Sequence, residues 1–460
     1  MKNINVRFLH AVLLIALFAF TQQVFAFCTP PGWTVTCFKD GKQGIKICGE
    51  NAMFGPCLVP ADPPPPSGEV TPKYKIMTTV YAPPGTQGGG STSSVSYGSQ
   101  SSLGSSMSSS NSFNHNYSVT VEAKVGFLGS GGSTSGSFGY GRGTTDSEVM
   151  DIKKTASLQI SRGGPAVDGI DHNRDQIWLW LGPTLDLTME PSAGEWTVDE
   201  NAVMELQYVY VGHLRNPAQM PPGVVNRLAA YGITTDDYDD ILAAYAFSDE
   251  SAPIDTSRFK SLYTTFPYEP PYAPGDPVSN LSFTATYSHG NVSSSSVKNE
   301  YSVGLSTSGT LNFITIFETK IKVSGKWTWT DTDTRSNTNG TSESASVTIG
   351  GPAYGYTGPT SMRVYYDVIY KTFAFAPIET GFAPGLQGSL VSRSSKALGG
   401  KEVVVIADGI KYRTFTNARG EYRFYEDFTG AGEFRFQVDG IEMAPQSLEG
   451  DTEHRVFKLP

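Results

Sequence analysis

The chain has 460 residues, with 44 acidic and 34 basic side chains, a net charge of -10 and only 17% of residues charged. That composition excludes a coiled coil, which needs abundant Lys, Glu, Leu and Ala, and a basic nucleic-acid binder, which needs clustered Lys and Arg against phosphate. High Gly (49) and Pro (29), 12% aromatics and a 39% hydrophobic share favour several domains of loop-rich β structure around packed cores.

Residues 1–26 read as a secretory signal. Lys2 and Arg7 supply the positive start, Ala11 to Phe20 the apolar run, and Val24-Phe25-Ala26 the small-residue cleavage site. Ten apolar residues are half of what a membrane-spanning helix needs, about 20. The expected location is therefore secreted or extracellular, with retention at the cell surface left open.

All four cysteines, Cys28, Cys37, Cys48 and Cys57, fall within 27–60. An exported chain meets an oxidising environment, and no Cys-x-x-Cys pair or His in this segment suggests zinc, so two disulfides of open pairing are expected. The run Cys28-Thr29-Pro30-Pro31-Gly32, with Gly41-Lys42-Gln43-Gly44 and Phe54-Gly55-Pro56-Cys57, resembles a small cysteine module of secreted bacterial surface proteins. Residues 61–68, with Pro63 to Pro66 at their centre, read as a stiff extended linker.

Residues 69–378 read as one β domain containing an internal repeat. Tyr117-Ser118-Val119, Ser135 to Tyr140 and Gly163-Gly164-Pro165-Ala166 recur in order at Tyr301-Ser302-Val303, Ser324 to Trp329 and Gly350-Gly351-Pro352-Ala353. In both halves apolar and Ser/Thr residues alternate with period two: Tyr117, Val119, Val121, Ala123 and Val125 in the first, Ile321, Val323, Trp327 and Trp329 in the second. Such alternation predicts strands with one wet face. Ahead of the first half, 14 of the 22 residues from Ser91 to Ser112 are Ser or Thr. Two readings fit this stretch. It is a flexible linker, or it is an amphipathic hairpin whose apolar residues Val95, Tyr97, Leu103 and Met107, with Phe113, share one parity.

The insertion 168–277 separates the halves. It starts with the dense strand Ile177 to Leu181 and continues through Leu206 to Val211. Two short helices are expected near 223–246, one ending at Gly232 and the next capped by Thr234. Four aspartates on the second helix would repel phosphate and argue against a DNA-reading helix pair. Just before the first strand, Asp171, Asn173 and Asp175 match the start of a calcium loop. Gln176 stands where the loop needs Gly and Gly182 where it needs Glu, so a polar turn without a cofactor is the other reading.

After a short linker, 379–385, the segment 386–460 carries Thr416-Asn417-Ala418-Arg419-Gly420-Glu421-Tyr422-Arg423-Phe424 and then Gly432, Phe434, Phe436 and Val438. This resembles the carboxypeptidase-regulatory-like domain, a small transthyretin-like β-sandwich. The resemblance implies an accessory module without catalytic residues. Asn417 departs from the Asp usual at its position.

The five histidines after the signal are scattered, and no Gly-x-Ser-x-Gly elbow or phosphate loop occurs. The chain is therefore expected to be non-enzymatic. Two functions remain. One is a secreted surface-binding protein that recognises an extracellular polymer, glycan or protein partner, with Trp327 and Trp329 as binding-surface candidates. The other follows from a resemblance: the alternating Ser/Thr-rich strands of about 90–375 are similar in pattern to aerolysin and epsilon-toxin β-pore-forming proteins. That implies homo-oligomers that insert a β-hairpin into a target membrane, here with Val95, Tyr97, Leu103, Met107 and Phe113. The fold expected throughout is mainly β: a disulfide module, an elongated antiparallel domain with a helical insertion, and a C-terminal sandwich.

Overall fold

A computed structural model describes residues 29–31, 33–39, 42–57, 67–88, 90–97, 111–114, 117–125, 134–140, 148–150, 160–189, 194–198, 205–248, 252–274, 283–288, 298–303, 319–325, 327–332, 344–428, 433–443, 446–447 and 453–459. The signal expectation falls outside them. The chain is a mainly β, multidomain protein that divides into two compact units, Met1–Pro66 and Ser67–Pro460. Among the described residues no helix is long and apolar enough to cross a membrane.

The first unit holds an antiparallel hairpin, β1 (Thr34–Lys39) and β2 (Lys42–Ile47). Cys37, buried on one face, is disulfide-bonded to Cys57 across a Cα separation of 5.9 Å. Cys48 is also disulfide-bonded, to a partner outside the described residues. The pairing that spacing left open is thus resolved for Cys37.

The second unit opens with β3 (Ser67–Val70), β4 (Tyr74–Val80) and β5 (Ser94–Tyr97). The chain then runs through β6 (Asn111–Asn114), β7 (Tyr117–Val125), β8 (Thr134–Tyr140), β9 (Glu148–Met150) and β10 (Ile160–Gly163). Next come β11 (Gln176–Leu181), β12 (Leu185–Met189), β13 (Gly194–Val198), β14 (Glu205–Tyr210) and helices α1 (Val211–Arg215), α2 (Pro222–Ala229) and α3 (Tyr238–Ala243). There follow β15 (Phe259–Pro267), β16 (Phe283–Ser288), β17 (Lys298–Val303), β18 (Thr319–Gly325), β19 (Trp327–Thr332), β20 (Ser344–Ile349), β21 (Ser361–Asp367) and β22 (Thr372–Pro377). The last strands are β23 (Leu386–Ser392), β24 (Glu402–Ala407), β25 (Ile410–Phe415), β26 (Glu421–Phe424), β27 (Glu433–Val438), β28 (Ile441–Glu442), β29 (Gln446–Ser447) and β30 (Glu453–Leu459).

The helices follow their local chemistry. Pro222 opens α2, and Gly232 takes φ 72° just beyond it, a conformation that only glycine adopts without strain. Thr234 and Asp237 form the reciprocal capping box ahead of α3. Helix α1 differs from expectation, because the strand before it stops at Tyr210. There Val211 N donates to Asp175 O at 3.0 Å, and Gly212 lies so close to Asn173 that a Cβ would meet it at 2.8 Å.

Strands β4 and β11 are buried along almost their whole length, which is why the Tyr74–Val80 and Gln176–Leu181 runs barely alternate. With β14 they form one sheet of the body in the order β14-β11-β4, and one large core surrounds Trp180, Tyr81, Phe259 and Phe373. A second core lies between two sheets of the C-terminal segment, β25-β24-β27 and β26-β23-β30, filled by Leu386, Val403, Val405, Tyr422, Phe424, Phe434 and Phe436. That arrangement is sandwich-like. Its first sheet continues into the body: β25 meets β15 in parallel at Thr264 and Arg413, giving the order β22-β21-β15-β25-β24-β27-β28.

Candidate functional site

The alternating strands form three sheets: β10-β5-β20-β16, β17-β19-β6-β9 and β18-β7-β8. Their registers are linked. Tyr97 faces Ala345, Ser112 faces Thr330 and Val121 faces Ile321, and every Cα pair of β5 with β20, β6 with β19 and β7 with β18 adds to 442. One ladder rule therefore holds at three stations from Ser94 to Val125. The flanking strands shift only by even steps. Ala285 faces Val347 and Tyr301 faces Trp329 on one side, while Ile160 faces Tyr97, Met150 faces Asn111 and Phe138 faces Val121 on the other. Because side chains alternate with period two, an even shift never moves a residue to the opposite face.

At the first station both faces are defined. Val95, Tyr97, Ala345, Val347, Ile349, Phe283 and Ala285 are buried. On the other face cross-strand hydroxyls pair, Ser96 Oγ with Ser346 Oγ at 2.7 Å and Thr284 Oγ1 with Thr348 Oγ1 at 2.8 Å. Hydroxyls that satisfy one another tolerate both wet and dry surroundings. This gives the Ser/Thr richness a physical role.

Both Gly-Gly-Pro-Ala segments meet the stretch that enters β5. Thr86 N donates to Pro165 O at 3.1 Å and Thr86 Oγ1 to Gly351 O at 2.9 Å. Gly164 N donates to Ser93 O at 2.9 Å, and Gly350 N to Ser93 Oγ at 3.0 Å. A Cβ on Gly164 would meet Pro84 O at 2.6 Å, and one on Gly350 would meet Thr92 Oγ1 at 1.9 Å. These positions require glycine for close backbone approach.

The body also holds a buried polar node. Arg258 donates from Nε to Asp367 Oδ1 at 3.0 Å and from Nη2 to Oδ2 at 2.8 Å, and Tyr81 OH donates to the same Oδ2 at 2.7 Å. Burial works against the guanidinium, but the Asp367 carboxylate overrides it and holds the Arg258 pKa above its ordinary value. Nearby, Asp175 accepts from Ala82 N at 2.7 Å and from Tyr245 OH, and lies 2.8 Å from His172 Nδ1. Phe373 N donates to Tyr97 OH at 2.9 Å.

Burial raises the pKa of Tyr81, Tyr97 and Tyr245, and neighbouring Asp367 and Asp175 add to the effect at Tyr81 and Tyr245. A raised native pKa means that stability is intact below the ordinary tyrosine value, about 10, and is lost above it as the unfolded phenols ionise. Each of the three is expected to cost about 1.4 kcal/mol by pH 11. Urea unfolding midpoints at pH 8 and at pH 11 measure the loss. Phenolate absorbance from these three should rise together with unfolding, not before it.

The C-terminal sandwich is fastened to the body at Phe266 and Glu269. Asn417 Nδ2 donates to Glu269 Oε1 at 3.1 Å and Oε2 at 3.0 Å, and to Glu421 Oε2 at 3.1 Å. Arg423 lies 3.3 Å from Glu269, and Phe415 stacks on Phe266 with ring centroids 5.1 Å apart. An Asp at 417 could not donate and would face two carboxylates, so the amide fits this docked position. Asn417→Asp is expected to lower unfolding free energy by about 1–3 kcal/mol, through lost hydrogen bonds and charge repulsion. Denaturant titration measures it, and Asn417→Ser should fall between the two.

The sequence-predicted residues are distributed as follows. Val95 and Tyr97 are core groups of β5, which pairs with β10 and β20. Phe113 is on β6, opposite Trp329 and Glu148, so the two described ends of the Ser-rich stretch pair with other strands and not with each other. Leu103 and Met107 lie outside the described residues. Trp327 and Trp329 sit on β19, opposite Val303 and Tyr301. Asp171 caps a short 3-10 turn through Asn173 N at 3.0 Å, Asn173 Oδ1 accepts from Arg215 at 3.1 Å, and Asp175 is fully buried in the node above. Among the described residues no group of three His, Cys, Asp or Glu is placed to hold a metal ion. Sequence reasoning missed Arg258, Asp367 and Glu269, and only the Asn417 departure pointed toward one of them.

No family model and no curated protein matches the chain. Two of the solved structures with some likeness are the Bacillus anthracis TIE protein and BcpA, the major pilin subunit of Bacillus cereus. The first is 8% identical with a TM-score of 0.14, over 75% of this chain and 51% of that one, so the chain spans about half its length. The second is 6% identical with a TM-score of 0.12, over 85% of this chain and 99% of that one.

Proposed function

We propose that the chain is a secreted, non-enzymatic protein that acts on target membranes, oligomerising and inserting a β-hairpin made of β7 and β8. The observation that carries this reading is the in-phase register: one apolar and one polar parity, Ser/Thr-rich and then charged at Glu122 and Lys124, keep their phase at three stations from the body to Val125. A barrel strand that crosses a bilayer needs about 9–11 alternating residues, apolar toward lipid and polar toward the lumen. Strand β7 has nine, with Tyr117, Val119, Val121, Ala123 and Val125 on one parity and Ser118, Thr120, Glu122 and Lys124 on the other. Its antiparallel partner β8, seven residues long, gives the start of the second arm.

The test is dye release from liposomes by the purified chain, before and after limited proteolysis. Release together with a heat-stable oligomer on a gel is expected. No release from neutral, anionic or cell-extract lipids would overturn the reading.

A second reading has support from the sheet shared by the body and the C-terminal sandwich, which suits rigid display. The chain would then bind an extracellular polymer, glycan or protein partner without insertion, through a surface that includes Trp327 and Trp329. Binding to a glycan or polymer array, lost on Trp327→Ala with Trp329→Ala and accompanied by no dye release, would favour it.

A further inference from the structure

We infer that the corner where β14 runs into α1 is a binding site for a carboxylate-bearing sugar. Register pairs Trp178 with Tyr208 and Gln176 with Tyr210, so these four side chains share one face of β11 and β14. Their rings form an unbroken row. Trp178 and Tyr208 have centroids 5.2 Å apart, Tyr208 and Tyr210 5.6 Å, and Tyr210 and His213 of α1 5.2 Å. Tyr208 is 38% exposed, and the other three rings are half-buried.

Two arginines frame the row. The Arg162 guanidinium carbon lies 5.1 Å from the Tyr210 centroid, and its Nη2 donates to Arg174 O at 3.2 Å. The Arg174 side chain is 55% exposed, and the carboxylate beside it, that of Asp171, stands off at 3.6 Å from Nε. Among the described residues the Tyr208 and Tyr210 hydroxyls, the His213 ring nitrogens and the Arg174 Nη atoms have no hydrogen-bond partner. The corner thus combines half-open rings with polar groups that the fold itself does not use.

Chemistry selects the occupant. A pyranose packs its C–H face on an aromatic ring while its hydroxyls meet donors and acceptors at the rim. A guanidinium adds preference for a carboxylate, which its planar fork grips with two hydrogen bonds. Burial and the charge of Arg174 lower the His213 pKa from its ordinary value, so at neutral pH the ring offers hydroxyls one donor and one acceptor. A nucleic acid does not fit, because two arginines cannot offset a net charge of -10 against a phosphate chain.

The site uses neither Trp327 nor Trp329 and needs no insertion, so its test can fail without touching either reading above. The full chain is titrated by calorimetry with sialyllactose and with a glucuronate-terminated disaccharide, each beside its neutral counterpart. Expected is binding of at least one acidic sugar, about tenfold or more tighter than its counterpart and weaker at about 0.5 M salt. Arg174→Gln should remove most of that preference, and Tyr208→Ser should weaken binding about tenfold. Tyr208→Phe keeps the ring and should stay within about threefold of the parent. Thermal unfolding midpoints close to the parent's confirm that each variant is folded. No binding of either acidic sugar overturns the inference. So does equal binding of acidic and neutral sugars, or full binding by both Arg174→Gln and Tyr208→Ser. Equally tight binding of a glutamate-rich peptide also overturns it, by showing a charged patch only. Binding lost in Trp327→Ala with Trp329→Ala but kept in the Arg174 and Tyr208 variants overturns this site and supports the display reading.

Discussion

Arg258→Ala is expected to lower unfolding free energy by about 3–5 kcal/mol, against a typical total of 5–15. The substitution leaves Asp367, fully buried, without its cation. It also removes a ring neighbour: the guanidinium carbon lies 5.0 Å from the Tyr370 centroid and 5.5 Å from that of Phe259. Removing both charges with Arg258→Met and Asp367→Leu should recover only part of the loss. Asp367 also accepts from Tyr81 OH and, at 2.9 Å, from Ile369 N, and those donors would be stranded. Thermal and urea unfolding of the single and double variants measure this. A single variant within about 1 kcal/mol of the parent would show the node to be dispensable.

A disulfide between β7 and β18 is expected to abolish dye release completely, and reduction to restore it. In the inserted form proposed above, β7 must leave β18 to extend with β8 as a free hairpin. Val121 and Ile321 are Cα partners, and so are Thr120 and Lys322. Adjacent positions on an antiparallel ladder alternate between wide and narrow pairs, so testing both cysteine pairs covers both geometries. No free cysteine competes among the described residues. Release that continues from a fully crosslinked chain would exclude separation of these strands from the mechanism.

The parity of Val95, Tyr97 and Phe113 was legible in the sequence because alternation is local. The destination of those side chains was not. Tyr97 reaches Phe373, 276 residues away, and only the folded chain brings them together. Separation along the chain also hid the buried node: Arg258 and Asp367 are 109 residues apart and neither belongs to a motif. Gly232 and Thr234 announced the helix boundaries because capping is settled within a few residues. Strand β14 ended one residue before its apolar run because Asp175 O takes the Val211 N–H, a contact invisible in local pattern. The two Gly-Gly-Pro-Ala segments were read as a repeated motif. Their need for glycine comes from a third stretch, Pro84 to Ser93, against which both are pressed.

The even steps between the ladder registers set a rule for how this sequence can change length. Inserting or deleting two residues in a strand of these three sheets moves every later residue along the strand but keeps it on its own face. One residue would turn each buried apolar group outward and each hydroxyl inward from that point on. Natural variants of these strands should therefore differ in length by multiples of two. An odd change should survive only in the connections between strands, or where a bulge absorbs it.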